Sequence, residues 1–328
     1  FLPTTKLNHH KASLLCKKQY FLETIIILSI PTCIWGLIGN GVDFWLLCFR
    51  IKRTRFSVYI LNLTAADLIV NIYYIMVFIT FLAQIYVNLY FSRVMEIIYL
   101  FGYNTSIYLV SALTAERYLT VFFPVWYQRH RLKYLSIIVC AVLWLLSCLV
   151  SLVAYISCYP RFLSSHNEER ADCTAATIIE ITITFLVFQP IMLFSTAALC
   201  VKMQREAKQS APARLDITIT ILAVVFLIFS FTVRTVDAIA YWHQTLDAPV
   251  PFLLSLLFDS IKSSINPFIY LAVGCWKRGK PIHMFLERAL SDKAERTQVD
   301  QEEIENMIKQ GGKENWRVTL VILTTLFC

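Results

Sequence analysis

The sequence predicts an all-α membrane protein, a seven-transmembrane helix bundle followed by a short amphipathic surface helix. Three observations predict it. Of 328 residues, 57% are hydrophobic and 16% charged, whereas an ordinary soluble domain is about 25% charged. The apolar residues are gathered into seven long blocks, and the Lys and Arg residues crowd into alternate gaps between those blocks. Eight glycines and 10 prolines exclude collagen-like and low-complexity material, so the apolar excess belongs to ordered elements solvated by lipid.

The blocks cover residues 24–49, 56–82, 94–122, 134–157, 174–201, 217–242 and 250–274, each longer than the roughly 20 apolar residues that cross a bilayer. The first carries Asp43, and the fourth carries no charge at all. The second carries Asp67, the third Glu96, Glu116 and Arg117, the fifth Glu180, the sixth Arg234 and Asp237, and the seventh Asp259 and Lys262. None alternates like an outer-membrane strand, and no inverted repeat marks a transporter, so helices that satisfy their own backbone in lipid are the reading. The loop after the first span holds Arg50, Lys52, Arg53 and Arg55, and the third and fifth loops are likewise basic, while residues 83–91 and 243–249 lack Lys and Arg. The positive-inside bias therefore puts the amino terminus outside and the carboxyl terminus inside a plasma membrane, against a weak contrary vote from four lysines in the first 23 residues.

Residues 1–23 read as an extracellular segment. They begin without Met or a cleavable signal pattern, so the sequence reads as a fragment lacking its first residues, with the first span as insertion signal. Residues 24–274 form the bundle. In residues 275–290, Pro281 precedes a stripe of Ile282, Phe285, Leu286, Ala289 and Leu290, the spacing of a helix on the inner membrane surface. Residues 291–328 are a cytoplasmic tail, charged to 317 and ending in an apolar stretch too short to span. The formal charge of +8 lies in the inner loops and tail instead of on one wet face, which argues against a nucleic-acid partner. Five of the 10 cysteines, Cys33, Cys48, Cys140, Cys148 and Cys200, lie inside apolar blocks as small hydrophobes.

Short signatures within the spans carry a resemblance. Gly39-Asn40 lies in the first, Leu61-Asn62-Leu63 and Ala66-Asp67 in the second, Glu116-Arg117-Tyr118 at the inner end of the third, and Trp144 in the fourth. Pro190 lies in the fifth and Asn266-Pro267-Phe268-Ile269-Tyr270 in the seventh. In that order they resemble the rhodopsin-like G-protein-coupled receptors. The stretches ERYLTVFFPVWYQRHR, VLWLLSCLV, FLVFQPIML and SSINPFIYLAVG are similar to the Mas and Mas-related receptors.

The resemblance implies a receptor without enzymatic activity or cofactor, with an extracellular ligand outside and a heterotrimeric G protein inside. It implies a Cys158–Cys173 disulfide, since Ser92 stands where most such receptors place the third-helix cysteine. Glu116 and Arg117 would form the lock whose release frees Arg117, with Pro190, Pro267 and Tyr270 in the activation machinery. An ion site would comprise Asp67, Ser106 and Asn266. Two departures stand out: Thr232 replaces the kink-forming proline of the sixth span, with no tryptophan beneath it, and Ala154 replaces an acid in the fourth.

Charges at membrane depth cost a few kcal/mol and mark function by default. Lys262 lies four residues before Asn266, on one helical face, where its ammonium would occupy the sodium's place by pairing with Asp67 or Asp259; a purely structural Asp259–Lys262 pair is the equal alternative. A retinal lysine is excluded by a two-residue offset, a rotation of about 200°. Glu96, Glu180 and Asp237, with Tyr99, Tyr103 and Trp242, would make an outer pocket for a cationic peptide or amine. Against this, Asp237 would merely neutralise Arg234, and Glu96 and Glu180 would merely reach headgroup water. Other classes remain open at this point: an ion or proton transporter using Asp67, Asp259 and Lys262, or a weakly signalling receptor-like protein.

Overall fold

In the computed structural model the described residues are 4–83, 88–130, 132, 134–157, 171–207, 212–242, 249–274 and 282–290. Every regular element among them is helical. In chain order they are α1 (Thr4–Phe49), α2 (Arg55–Leu82), α3 (Leu89–Phe122), the short α4 (Pro124–His130), α5 (Leu135–Ser157) and α6 (Ala171–Thr182). A π-helical turn (Ile183–Phe188) joins α6 to α7 (Gln189–Ala207), and α8 (Arg214–Trp242), α9 (Pro249–Val273) and α10 (Ile282–Ala289) follow. Spans one to four are α1, α2, α3 and α5, the fifth is α6 with α7, and the sixth is α8; all six are long and apolar enough to cross a membrane. The seventh span is α9, which buries Asp259 and Lys262.

The helices close into a ring in which α9 packs against α1, α2 and α8, while α3 runs through the interior against α2, α5, α7 and α8. Large apolar side chains on the outer faces, such as Trp35, Leu145, Leu149 and Phe194, are exposed. In water such a surface would drive aggregation; in a bilayer it is the solvated face.

Local sequence sets the helix ends and irregularities. At the start of α2, the Ser57 N–H donates to Thr54 Oγ1 (3.1 Å) and the Thr54 N–H to Ser57 Oγ (2.7 Å), a reciprocal cap. At the start of α3, Asn88 Oδ1 accepts from the Tyr90 N–H (2.8 Å). Pro190 has no N–H to offer the carbonyl one turn back, and its ring crowds that carbonyl. The Gln189 N–H accordingly reaches five residues back to Thr184, and the helix widens into its π turn ahead of the proline. The sixth span shows the converse. With Thr232 in place of proline, α8 runs unbroken from Arg214 to Trp242, and the Thr232 hydroxyl donates to the Ile228 carbonyl (2.8 Å). The sequence places the start of the first span at residue 24, but α1 is already helical from Thr4, through a segment in which the good helix formers Lys and Leu recur. On α10, Phe285, Leu286, Ala289 and Leu290 of the expected stripe are buried, while Ile282 is exposed.

Close approach of α1 to α9 depends on glycine. A Cβ at Gly36 would lie 2.2 Å from Ser264 Oγ, and one at Gly39 2.8 Å from Pro267, whereas Gly41 faces open space. Gly36→Val is expected to destabilise the bundle by about 1–3 kcal/mol through overpacking. Gly41→Ala should leave it unchanged, both read as thermal unfolding midpoints in nanodiscs.

Candidate functional site

Three layers of buried polar side chains stack along the interior. The inner layer surrounds Arg117, which is 4% exposed. Arg117 Nε pairs with Asp216 Oδ1, and its guanidinium lies over the Phe56 ring at 5.3 Å. Lys202 Nζ stands 3.7 Å from the other Asp216 oxygen, so one carboxylate ties α3, α7 and α8 together. Glu116 accepts from the Tyr127 hydroxyl on α4 and from Ser136 Oγ on α5 (3.2 Å to each oxygen). The sequence expectation joined Arg117 to its neighbour Glu116; the structure places a cross-helix acid, Asp216, on Arg117 and hydroxyls of α4 and α5 on Glu116. Both acids are buried, so each pairing is made away from water, where charge-assisted bonds are strong.

The middle layer holds the remaining family signatures. Asn40 Nδ2 donates to the Ser263 carbonyl (2.8 Å), Trp144 Nε1 to Asn62 Oδ1 (2.9 Å), and Asn266 Nδ2 to Asp67 Oδ2 (2.5 Å). These bonds tie α1 to α9, α5 to α2, and α9 to α2. Lys262 Nζ lies 2.6 Å from Asp259 Oδ1, both fully buried. Asp259 Oδ2 accepts from the Tyr74 hydroxyl of α2 (2.5 Å). The ammonium also lies over the Tyr103 ring at 4.1 Å.

A sodium ion, which the resemblance implies at Asp67, is poorly suited to these residues. Asp67 Oδ1 and Asn266 Oδ1 have no hydrogen-bond partner among the described residues, which alone would suit a hard cation. The fixed charge of Lys262 in the same cluster opposes one, and the Ser106 hydroxyl is engaged with its own helix at the Tyr103 carbonyl (2.9 Å).

The outer layer is aromatic. Tyr99 stacks on Tyr73 (4.9 Å between centroids) and meets Tyr74 (5.9 Å) and Tyr103 (5.7 Å). Glu96, half-buried, lies one turn above Tyr99 on the same face of α3. Glu180 is 2% exposed, so it faces the interior of the bundle and not headgroup water. Tyr103, expected among the ligand contacts, is 1% exposed and belongs with Lys262 as the floor of this layer. Cys158 lies outside the described residues, as do the side chains of Cys173, Arg234, Asp237 and Trp242. Pro190 and Pro267 sit inside helical segments, and Tyr270 is buried on α9.

The sequence reading missed Asp216, Tyr127, Ser136 and Tyr74. Asp216 was legible as an acid in the first turn of the sixth helix, but it falls one residue outside the apolar block and counts there with the basic loop. The tyrosines and the serine carry no charge to mark them.

Seven packed helices with a buried Arg–acid pair at the inner end define a receptor of the rhodopsin class, and the family pattern described as "7 transmembrane receptor (rhodopsin family)" matches residues 39–270. The chain is 38% identical to human proto-oncogene Mas, over 81% of this chain and 82% of that protein. It is 33% identical to human Mas-related G-protein coupled receptor member X2, over 96% and 95%, and 32% identical to member D from Macaca fascicularis, over 88% and 91%. It belongs, within the rhodopsin family, to the Mas and Mas-related G-protein-coupled receptors, a non-enzymatic class of multi-pass membrane proteins.

The Asp259–Lys262 pair generates a stability prediction. Removing one partner strands a buried charge, so Lys262→Met alone should destabilise by about 3–5 kcal/mol. The shape-matched double variant Asp259→Asn/Lys262→Met should fall within about 1 kcal/mol of the parent, since buried pairs replaced as a unit are often neutral. Unfolding midpoints of the variants in nanodiscs check both.

Proposed function

We propose that this receptor binds an extracellular cationic peptide or amine in its outer aromatic layer and passes the signal to a heterotrimeric G protein at the inner cavity around Arg117 and Tyr270. The observation that carries the reading is the buried Arg117–Asp216 pair, which holds the inner ends of α3 and α8 together beside Lys202 of α7. A G protein entering from the cytoplasm would have to separate those ends. The orientation, with residues 1–23 outside and 275–328 inside the plasma membrane, rests on the basic inner loops. On this reading the bundle covers residues 24–274, and a Cys158–Cys173 bridge closes the outer loop.

A ligand shifts the helices only as far as its affinity differs between their arrangements. Glu96 and Glu180 give the outer layer negative charge, and Tyr99 gives it an aromatic face. A cation meeting both gains charge pairing and cation–π attraction in a site of low dielectric. Lys262 takes the place of sodium as the cation of the middle layer, so sodium has no role in the mechanism.

Asp216→Asn weakens the inner tie and is expected to raise ligand-independent nucleotide exchange several-fold on at least one member of a panel of purified G proteins. A flat response from the parent across that panel, with a library of basic peptides, contradicts the receptor reading. For a basic peptide that does activate, Glu180→Gln is expected to lower potency on the order of tenfold, measured as the concentration for half-maximal exchange, with a smaller loss for Glu96→Gln because Glu96 is less buried.

A further inference from the structure

The middle of α8 has neither a proline nor a tryptophan to shape its contact with the bundle, yet Phe226 is fully buried there. Lys262 of α9 supplies an unusual neighbour. Its ammonium lies 5.2 Å from the Phe226 ring centroid and 4.1 Å from that of Tyr103 on α3, both within the roughly 6 Å over which a cation is drawn to an aromatic face. Asp259, 2.6 Å from the ammonium, is itself held by the Tyr74 hydroxyl of α2. Just above, the Tyr103 hydroxyl lies 3.4 Å from Ser230 Oγ of α8, which also accepts from Gln189 Nε2 of α7 (3.3 Å). Side chains of four helices, α2, α3, α8 and α9, therefore meet around one positive charge, and α7 is joined to them through Ser230.

The two kinds of contact differ in what a movement of α8 would do to them. Asp259 and Lys262 are three residues apart on α9, so their ion pair travels with that helix and survives any displacement of α8. The ammonium–Phe226 contact crosses from α9 to α8 and does not survive. The pair keeps a charge stable in the bundle, and the ring contact spends that charge on holding α8.

Resting on the receptor reading above, we propose that Lys262 is a built-in cation that pins α8 against α3 and α9, and that its hold on Phe226 sets the level of signalling without ligand. Outward movement of the inner end of α8 requires Phe226 to leave the ammonium. A neutral side chain at position 262 would fill the space without that attraction, and the resting arrangement would lose its advantage over the open one.

The test uses the full chain in nanodiscs with spin labels carried on a ketone-bearing unnatural amino acid in place of Phe122 and of Arg214, at the inner ends of α3 and α8, so that the native cysteines stay unlabelled. Three variants are compared with the parent: Asp259→Asn/Lys262→Met, which removes both charges together; Phe226→Leu, which removes the ring and keeps the pair; and Asp216→Asn, which weakens only the inner tie. Each is measured for its label-to-label distance distribution without ligand and for ligand-independent nucleotide exchange. The double variant and Phe226→Leu are both expected to shift the distribution to longer distances and to raise exchange on the order of tenfold. An unchanged distribution in the folded double variant overturns the pin, as does a shift in the double variant that Phe226→Leu does not share. If distances lengthen in all three variants while exchange stays flat on every G protein, the receptor reading fails and the pin stands. If Asp216→Asn raises exchange and the double variant leaves distances unchanged, the reverse holds.

Discussion

A positive charge with no access to water sits near the middle of this bundle, and side chains of four helices are gathered around it. Lipid offers no hydrogen bonds, so each polar group in the interior must find its partner on a neighbouring helix or on its own. Lys262 finds a carboxylate three residues away and two aromatic faces on other helices. The carboxylate is completed from α2 by Tyr74. Remove the charge and its partner together and the packing remains, but the contact that distinguishes one position of α8 from another is gone.

The same rule explains why the short signatures lie where they do. Asn40, Asn62, Asp67, Trp144 and Asn266 each make a bond between helices at depths where no water competes, and the glycines at 36 and 39 let α1 approach α9 closely enough for the Asn40 bond to form. Individually such bonds in membranes average well under 2 kcal/mol. Their number and their distribution over α1, α2, α5 and α9 make the bundle specific. At the inner end the ties change character, with Asp216 bridging Arg117 and Lys202. On the proposed orientation, that tie is the one a cytoplasmic partner would act on.

Much of the fold was legible because lipid imposes a composition rule: apart from the start of α1, the seven apolar blocks appear as helices with ends within about six residues of those expected, and Pro190 and Thr232 each mark the local backbone behaviour their chemistry dictates. The beginning of α1 was not legible from hydropathy, since residues 4–23 form helix by propensity and not by apolarity. In the site, charges announced themselves and their partners did not. Asp67, Arg117, Asp259 and Lys262 stood out against an apolar background, and the Asp259–Lys262 pairing was one of the alternatives weighed. Tyr74, Tyr127 and Ser136 are ordinary residues in their helices, and only the fold shows that their hydroxyls meet carboxylates. Tyr103 is expected from sequence among the aromatic lining of a cationic pocket; its burial and its contact with the Lys262 ammonium put it at the floor of that layer.

The central claim is that two cross-helix contacts of α8, Asp216 with Arg117 at the inner end and Phe226 with Lys262 in the middle, hold the resting arrangement and are broken together when a G protein binds. The structure of the parent chain bound to a nucleotide-free G protein tests it most directly. The account predicts Arg117 separated from Asp216 and turned toward the G protein, and Phe226 displaced from the Lys262 ammonium while the Asp259–Lys262 pair persists. A bound complex with both contacts of α8 intact would contradict it.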